Sequence, residues 1–321
     1  NLGLKAGLYS SPGPWPCGGC TGSWQHEEQD AETYAKWGFD YLKYDWCSYG
    51  DVANGKIKAD KNVPRWNGSA AQPEGAIYPY KIMGKFLRAQ HRDIVFSLCQ
   101  YGMANVETWG GSVNGNCWRT TDDITDKWGE ARHGWQGGGG ATIGFNQDKV
   151  APYAKPGNWN DPDMLVVGEI GWGHLHPTRL TPDEQYTHIS LWCLLSAPLL
   201  IGCDMTKLDD FTLNLLENDE VLAIDQDALG KEAMCAINDG DIRIYEKELE
   251  DGGRAVGFFN LGVEPAKMEF KDFAKLHLTG KQRVRDLWRQ KDVADVDTAS
   301  DALPLTIPAH GVALYKFTAA K

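Results

Sequence analysis

The chain has no run of about 18 apolar residues, which excludes a helix that spans a bilayer. Basic residues are in deficit: 32 Lys and Arg stand against 44 Asp and Glu, for a net charge of −12. That field repels phosphate backbones and anionic lipid, so neither nucleic acid nor membrane is expected as a partner. Metal-ligand spacing is scarce as well. Cys17-Gly18-Gly19-Cys20 is a CxxC with no second CxxC or paired His, and His26-Glu27-Glu28 lacks the second His of a zinc-protease helix. His174 and His176 come without a third ligand and read as loop histidines. Internal repeats, low-complexity tracts and flexible linkers are missing. No initiator Met, signal peptide or capping segment precedes Leu4–Tyr9, which reads as a core strand, so the chain is expected to start inside a domain.

What is present is ample material for a core. With 321 residues, 42% hydrophobic and 24% charged, one large domain or two are possible. Thirteen Trp and twelve Tyr form a heavy aromatic load. Trp fills cores and also stacks on sugar rings, and Trp15, Trp24 and Trp46 are open to either use. Eight cysteines favour disulfides and an extracytoplasmic setting, with Cys193, Cys203 and Cys235 reading as buried thiols. Asn67-Gly68-Ser69 fits a glycosylation acceptor and equally a turn.

Periodicity divides the chain in two. Strand-like segments at Leu4–Tyr9, Phe39–Cys47, Ile94–Tyr101, Cys117–Asp123, Asn158–Val167 and Ala197–Cys203 interleave with helical patterns at Glu27–Trp37, Ala76–His91 and Pro182–Leu195. This βαβα alternation predicts an α/β fold with a parallel sheet, its chemistry at the carboxyl ends of the strands. After Leu229-Gly230 only short strands follow, at Ile242–Tyr245, Ala255–Asn260, Lys267–Phe270, Arg283–Trp288, Leu303–Ile307 and Val312–Phe317. They predict a small antiparallel β-sandwich over residues 233–321, behind a first domain of residues 1–232.

The segment Phe39–Cys47 carries the first chemical signal. Side chains alternate along a strand, so Tyr41, Lys43 and Asp45 share a face, and the Lys43 ammonium favours an ionised Asp45. Arg119, Thr121 and Asp123 are expected on one face of another strand, and Ser97, Cys99 and Tyr101 on one face of a third. In Asn160-Asp161-Pro162-Asp163-Met164 two acids bracket a proline; these, like Asp225 and Asp227, read as structural. Two carboxylates from different strand ends, with Lys and Arg beside them, suit glycosidic cleavage. One attacks the sugar carbon, and the other protonates the leaving oxygen and later activates water, across a gap of roughly 5–6 Å.

Lys43-Tyr44-Asp45-Trp46-Cys47, Cys117-Trp118-Arg119-Thr120-Thr121-Asp122-Asp123-Ile124 and Trp159-Asn160-Asp161-Pro162-Asp163-Met164-Leu165 together resemble glycoside hydrolase family 27, the melibiase or α-galactosidase family. Ala197–Asp204 and Ala223–Gly230 are similar to later barrel segments of that family, so the resemblance runs from Leu2 to about Gly230 in family order. It implies a (β/α)8 barrel and a retaining double displacement on α-D-galactosides, without metal or cofactor. It also implies roles: Asp45 as nucleophile, Asp123 as general acid/base, Lys43 and Arg119 on galactose hydroxyls. Cys99 and Tyr101 would line the loop that senses the C2 substituent, Met164 would touch the sugar, and Cys17 and Cys47 would form a disulfide beside the nucleophile. Cys99–Cys117 is a looser second pairing.

Two departures from the family pattern shape the remaining expectations. The family's first two β/α units, with an acidic pair for the 4- and 6-hydroxyls, have no counterpart in this chain. The expectation is a barrel lacking those units, which a separate or further segment of the same barrel would supply. The C2-sensing loop reads Leu98-Cys99-Gln100-Tyr101 where many relatives have Cys-Glu-Trp. Its retained aromatic leaves little room for an N-acetyl group and favours galactose over N-acetylgalactosamine. An α-N-acetylgalactosaminidase or β-L-arabinopyranosidase is the alternative within the family, and a non-catalytic galactose-binding protein the alternative outside it.

Overall fold

A computed structural model describes residues 2–129, 137–171 and 173–320, which fall into two compact units. The first comprises Asn1–Asp122 and Gly157–Asp161; the second comprises Asp123–Pro156 and Pro162–Lys321.

The first unit is built on five parallel strands in the order β1 (Gly7–Ser10), β2 (Tyr41–Asp45), β3 (Val95–Cys99), β4 (Cys117–Arg119) and β5 (Trp159–Asp161). Helices α1 (Glu27–Trp37) and α2 (Glu74–Arg88) provide the crossovers after β1 and β2. Gly38 stops α1 in a left-handed conformation (φ 85°), its N–H on Ala35 O and that of Phe39 on Tyr34 O, which turns the chain into β2. Even-numbered Leu42 and Tyr44 of β2 are buried in a core with Tyr80 and Met83 of α2 and Phe96 and Leu98 of β3. Tyr80 is the hub of that core, lying within 6.4 Å of the rings of Tyr44, Trp46, Phe96 and Trp109. The odd-numbered positions are thereby turned to the opposite face of the sheet.

Several boundaries differ from the sequence reading. Leu2 and Leu4 are exposed, and the first strand begins only at Gly7. The strand expected over Cys117–Asp123 ends at Arg119, so Thr121 and Asp123 do not share its face by alternation. The strand expected over Asn158–Val167 ends at Asp161, because Pro162 has no N–H to pair and Asp163 takes a left-handed φ of 87°.

In the second unit a single parallel bridge, Leu165 to Ile201, stands where Ala197–Cys203 was read as a strand. Helix α3 (Pro182–Leu194) starts in a capping box, Glu184 N donating to Thr181 Oγ1 and Thr181 N to Glu184 Oε2. It is buried almost all round, in one core with Val221, Phe259 and Leu314. Two short helices, α4 (Asp210–Glu217) and α5 (Asp219–Asp225), are additional to the sequence reading; Asp209 and Asn218 cap them.

From Met234 onward the second unit is antiparallel. Strands β6 (Met234–Asp239), β7 (Ile242–Glu248), β8 (Arg254–Asn260), β9 (Ala266–Phe270), β10 (Lys281–Asp286), β11 (Lys291–Asp297), β12 (Leu303–Ile307) and β13 (Val312–Ala319) form two sheets. Six strands run in the order β6-β7-β8-β13-β10-β11, and β9 pairs with β12. The two strands not anticipated, β6 and β11, are the edges of the larger sheet. Their charged residues (Asp239; Lys291, Asp292, Asp295 and Asp297) blunt edge pairing and erase the apolar alternation by which a strand is recognised.

Candidate active site

Parallel register stacks side chains in layers on the face turned from the helices. Tyr9 is level with Lys43, Lys43 with Ser97, and Ser97 with Cys117. One layer nearer the carboxyl ends, Asp45 is level with Cys99, and Arg119 with Asp161. Asp45 is 7% exposed, and each of its oxygens accepts from a phenol: Tyr9 Oη donates to Oδ2 at 2.8 Å and Tyr101 Oη to Oδ1 at 2.7 Å. Burial first, and then the charge of Asp45, pushes the Tyr9 phenol above its ordinary range, so it stays a donor.

Tyr101 does not reach Asp45 by strand alternation, since β3 ends at Cys99. It sits in a turn with φ 60°, followed by Gly102 at φ 76°, whose missing Cβ would meet the carbonyl of Thr120. A left-handed non-glycine residue beside a buried carboxylate is local backbone strain. Buried Arg119 holds this turn from the next strand. It donates to Thr121 O at 3.1 Å and to Cys99 Sγ at 3.8 Å, and its guanidinium lies 5.7 Å from the centre of the Tyr101 ring.

Cys17 and Cys47 are joined, with 5.5 Å between their Cα atoms, and Cys47 Sγ lies 3.2 Å from Tyr9 Oη. The bridge pins the loop after β1 to the residue two past Asp45. Cys99 and Cys117 are both buried and are not bonded to each other, contrary to the looser expectation. Register explains this: Cys117 is level with Ser97, so Cys99 stands two residues, about 6–7 Å, further along and one strand across, beyond disulfide reach. Burial, and then the Asp161 carboxylate, pushes the Cys117 thiol up to about 12. Cys193 is a buried thiol as expected, whereas Cys203 and Cys235 are only half-buried. Among the described residues, metal-ligating atoms converge only at Cys17, Asp45 and Cys47, where the disulfide occupies both sulfurs.

Asp123 and Met164 belong to the second unit. Asp123 is exposed, and its carbonyl accepts from Gly138 N at 2.9 Å. Gly137 (φ 74°) packs so closely on that carbonyl that a Cβ would collide with it. Asp163 fixes the next residue: its Oδ2 accepts from Ile124 N at 2.9 Å, its Oδ1 from Met164 N at 2.8 Å, and its carbonyl from Trp192 Nε1 at 2.7 Å. It thus orients backbone around Asp123, the structural role its pattern suggested. Met164 is half-buried with its sulfur against Gly202. Asp227 accepts from the N–H groups of Leu229 and Glu250, and His176 lies 3.8 Å from Asp126.

The residue that sequence reasoning passed over is Tyr9. Its signal was an aromatic at the end of the strand before β2, but only the pairing of β1 with β2 brings it onto Asp45.

The parallel α/β sheet and the antiparallel sheets after it, taken with the comparisons below, are those of the (β/α)8-barrel glycosidases with a C-terminal β-sandwich. The family model described as Alpha galactosidase A matches residues 1–227, and the one described as Alpha galactosidase C-terminal beta sandwich domain matches residues 239–317. Alpha-galactosidase 2 of Arabidopsis thaliana is 37% identical over 99% of this chain and 70% of its own length. The crystal structure of alpha-galactosidase I from Mortierella vinacea superposes with a TM-score of 0.84 at 30% identity, over 99% of this chain and 78% of that one. A Bacteroides fragilis structure superposes at 0.85 with 32% identity, and of that chain this one covers 63%. The chain thus spans roughly two thirds to three quarters of the lengths of these relatives. It belongs to glycoside hydrolase family 27, the melibiase or α-galactosidase family.

Proposed function

We propose that this chain carries the catalytic machinery of a retaining α-galactosidase, with residues 1–232 as the catalytic part and 233–321 as the β domain. Asp45 attacks C1 of a terminal α-D-galactosyl unit while the bond from C1 to the leaving oxygen breaks, and Asp123 passes its proton to that oxygen. In the second half, Asp123 takes a proton from water, the water oxygen bonds to C1, and the Asp45 carboxylate departs with its electron pair. A retaining displacement requires the two carboxyl groups about 5–5.5 Å apart. Lys43 and Arg119 bind sugar hydroxyls, Cys99 and Tyr101 face C2, and Met164 contacts the ring. Oligosaccharide α-galactosides are the substrate class, and the setting is extracytoplasmic.

The observation that carries this reading is the doubly hydrogen-bonded carboxylate of Asp45 at the mouth of a parallel sheet, on a chain whose relatives bear the name alpha-galactosidase. The two phenols hold Asp45 with one lone-pair direction of each oxygen left for a substrate carbon. Tyr101 favours galactose over N-acetylgalactosamine, because Asp45 and Arg119 grip it from two sides and it cannot swing away from C2. The test is turnover of 4-nitrophenyl α-galactoside beside the corresponding α-N-acetylgalactosaminide and β-L-arabinopyranoside. Azide is added to slow variants. Asp45→Gly should form β-galactosyl azide and Asp123→Gly α-galactosyl azide. A folded protein that releases no nitrophenol from any of the three, or one azide anomer from both variants, would falsify the assignment.

A further inference from the structure

Three tryptophans crowd the segment around Asp45, and burial separates them. Trp46 is 3% exposed and packs edge-on against Tyr49 and Trp66, and Trp24 packs edge-on against Tyr49. Trp15 is 50% exposed, and among the described residues no aromatic ring pairs with it. Packing therefore accounts for the first two and leaves Trp15 unexplained.

An exposed Trp on a mobile loop would mean little, since single exposed apolar side chains are common. The loop between β1 and α1, however, is clamped around this residue. Trp15 N donates to Ser48 Oγ at 3.0 Å, and Ser48 Oγ donates back to Trp15 O at 2.6 Å. Ser48 is three residues past Asp45. Pro14 and Pro16 flank the ring and restrict the backbone on both sides. Cys17 is disulfide-bonded to Cys47, and its N–H donates to Cys47 Sγ at 3.0 Å. Gly13 lies against Ser48 and Tyr49, and Gly22 against the carbonyl of Gly13, so tightly that neither site admits a Cβ. Gly22 N donates to Pro14 O, and Ser23 N to Ser11 O. The bonds around Trp15 tie the loop to itself and to the segment that follows the nucleophile strand, and Ser23 Oγ further meets Ser10 Oγ of β1 and Tyr34 Oη of α1, yet the indole they hold in place faces solvent.

We infer that Trp15 is the platform for the leaving-group sugar, the pyranose to which the α-galactosyl unit is attached. The inference rests on the galactosidase reading above. A pyranose presents an apolar face of C–H groups, and a flat indole offers a large apolar area at low conformational cost. A platform held rigid before substrate arrives loses little entropy on binding. Its backbone is bonded to Ser48, three residues past Asp45, and not to the nucleophile strand itself, which assigns it to the sugar beyond the bond that breaks. Trp15 sets preference among galactosides by what galactose is joined to, and does not take part in the bond changes.

The test compares melibiose, whose leaving group is glucose, with α-galactosyl fluoride, whose leaving group is a single atom, on the full-length enzyme. Trp15→Ala should lower kcat/KM for melibiose about tenfold, mostly through KM, and leave galactosyl fluoride within about twofold. Trp15→Tyr should restore most of the melibiose activity, because a flat ring remains. In the Asp45→Asn background, the same Ala substitution should weaken melibiose binding and leave galactose binding unchanged. Equal losses on both substrates, or an unchanged ratio between them, overturn the platform while the galactosidase reading stands. A wild-type enzyme that neither cleaves galactosyl fluoride nor binds galactose overturns both.

Discussion

Replacing Lys247 with Met probes the most deeply buried cation described in the second unit. Lys247 lies on β7 and is 1% exposed, and its ammonium donates to Ser196 Oγ at 2.6 Å, Ile224 O at 2.6 Å and Cys193 O at 3.2 Å. The two carbonyls belong to the last turns of α5 and α3, where helix dipoles are negative, so one cation caps both helices. Buried Asp225 stands near it, with an Oδ1 that has no hydrogen-bond partner among the described residues. Desolvation outweighs their attraction on both sides: Lys247 is lowered to about 8 and Asp225 raised to about 6. Met keeps the apolar stem and removes the charge. Three acceptors lose bonds worth about 1.5–3 kcal/mol each, and the recovered desolvation of the ammonium, several kcal/mol, offsets part of that. The net loss is about 3 kcal/mol at pH 8. Lowering the pH relieves it. A carboxyl whose folded pKa lies above its ordinary value adds stability at low pH that fades as pH rises through about 6. Without Lys247 that pKa climbs further, so at pH 5 a neutral Asp225 halves the cost. Calorimetry should register a Tm drop of roughly 6–12 °C at pH 8 and about half that at pH 5, at roughly 2–4 °C per kcal/mol for a unit of this size. Equal drops at both pH values, or a change under about 2 °C at pH 8, would refute the account.

Other expectations follow from the same geometry. Tyr9→Phe and Tyr101→Phe each delete one donor to Asp45, and each should lower kcat/KM about tenfold, from about 1.5 kcal/mol per charged hydrogen bond. The double variant should fall short of the product of the two, because both act on one carboxylate; independent, fully multiplicative losses would show that the phenols do not share it. Gly137→Ala forces a Cβ into the Asp123 carbonyl at φ 74°, and should cut turnover while Gly129→Ala, an open position, leaves it unchanged. Reducing the Cys17–Cys47 bridge, which closes a segment of 30 residues, should cost about 3–4 kcal/mol. It should also raise KM before it lowers kcat, and unaltered kinetics in the reduced enzyme would separate the loop from the site.

Much of this protein was legible in its residues. Lys43 and Asp45 sit two apart on one strand, α1 starts and stops where its acidic first turn and Gly38 require, and the pairing of Cys17 with Cys47 was implied by a family resemblance. Those features depend on spacing, capping and the identity of near neighbours, which a linear chain carries. Tertiary structure decided the rest. Tyr9 reaches Asp45 only because β1 pairs in parallel with β2, and Tyr101 only because a left-handed turn, wedged against Thr120 by Gly102, swings it back over the strand it has left. Register separates Cys99 from Cys117 by a whole layer. Lys247 becomes the shared cap of two helices more than 20 residues away in sequence. Periodicity states which way a side chain points from its own element; which other element it meets is set by long-range pairing, and no local pattern encodes that.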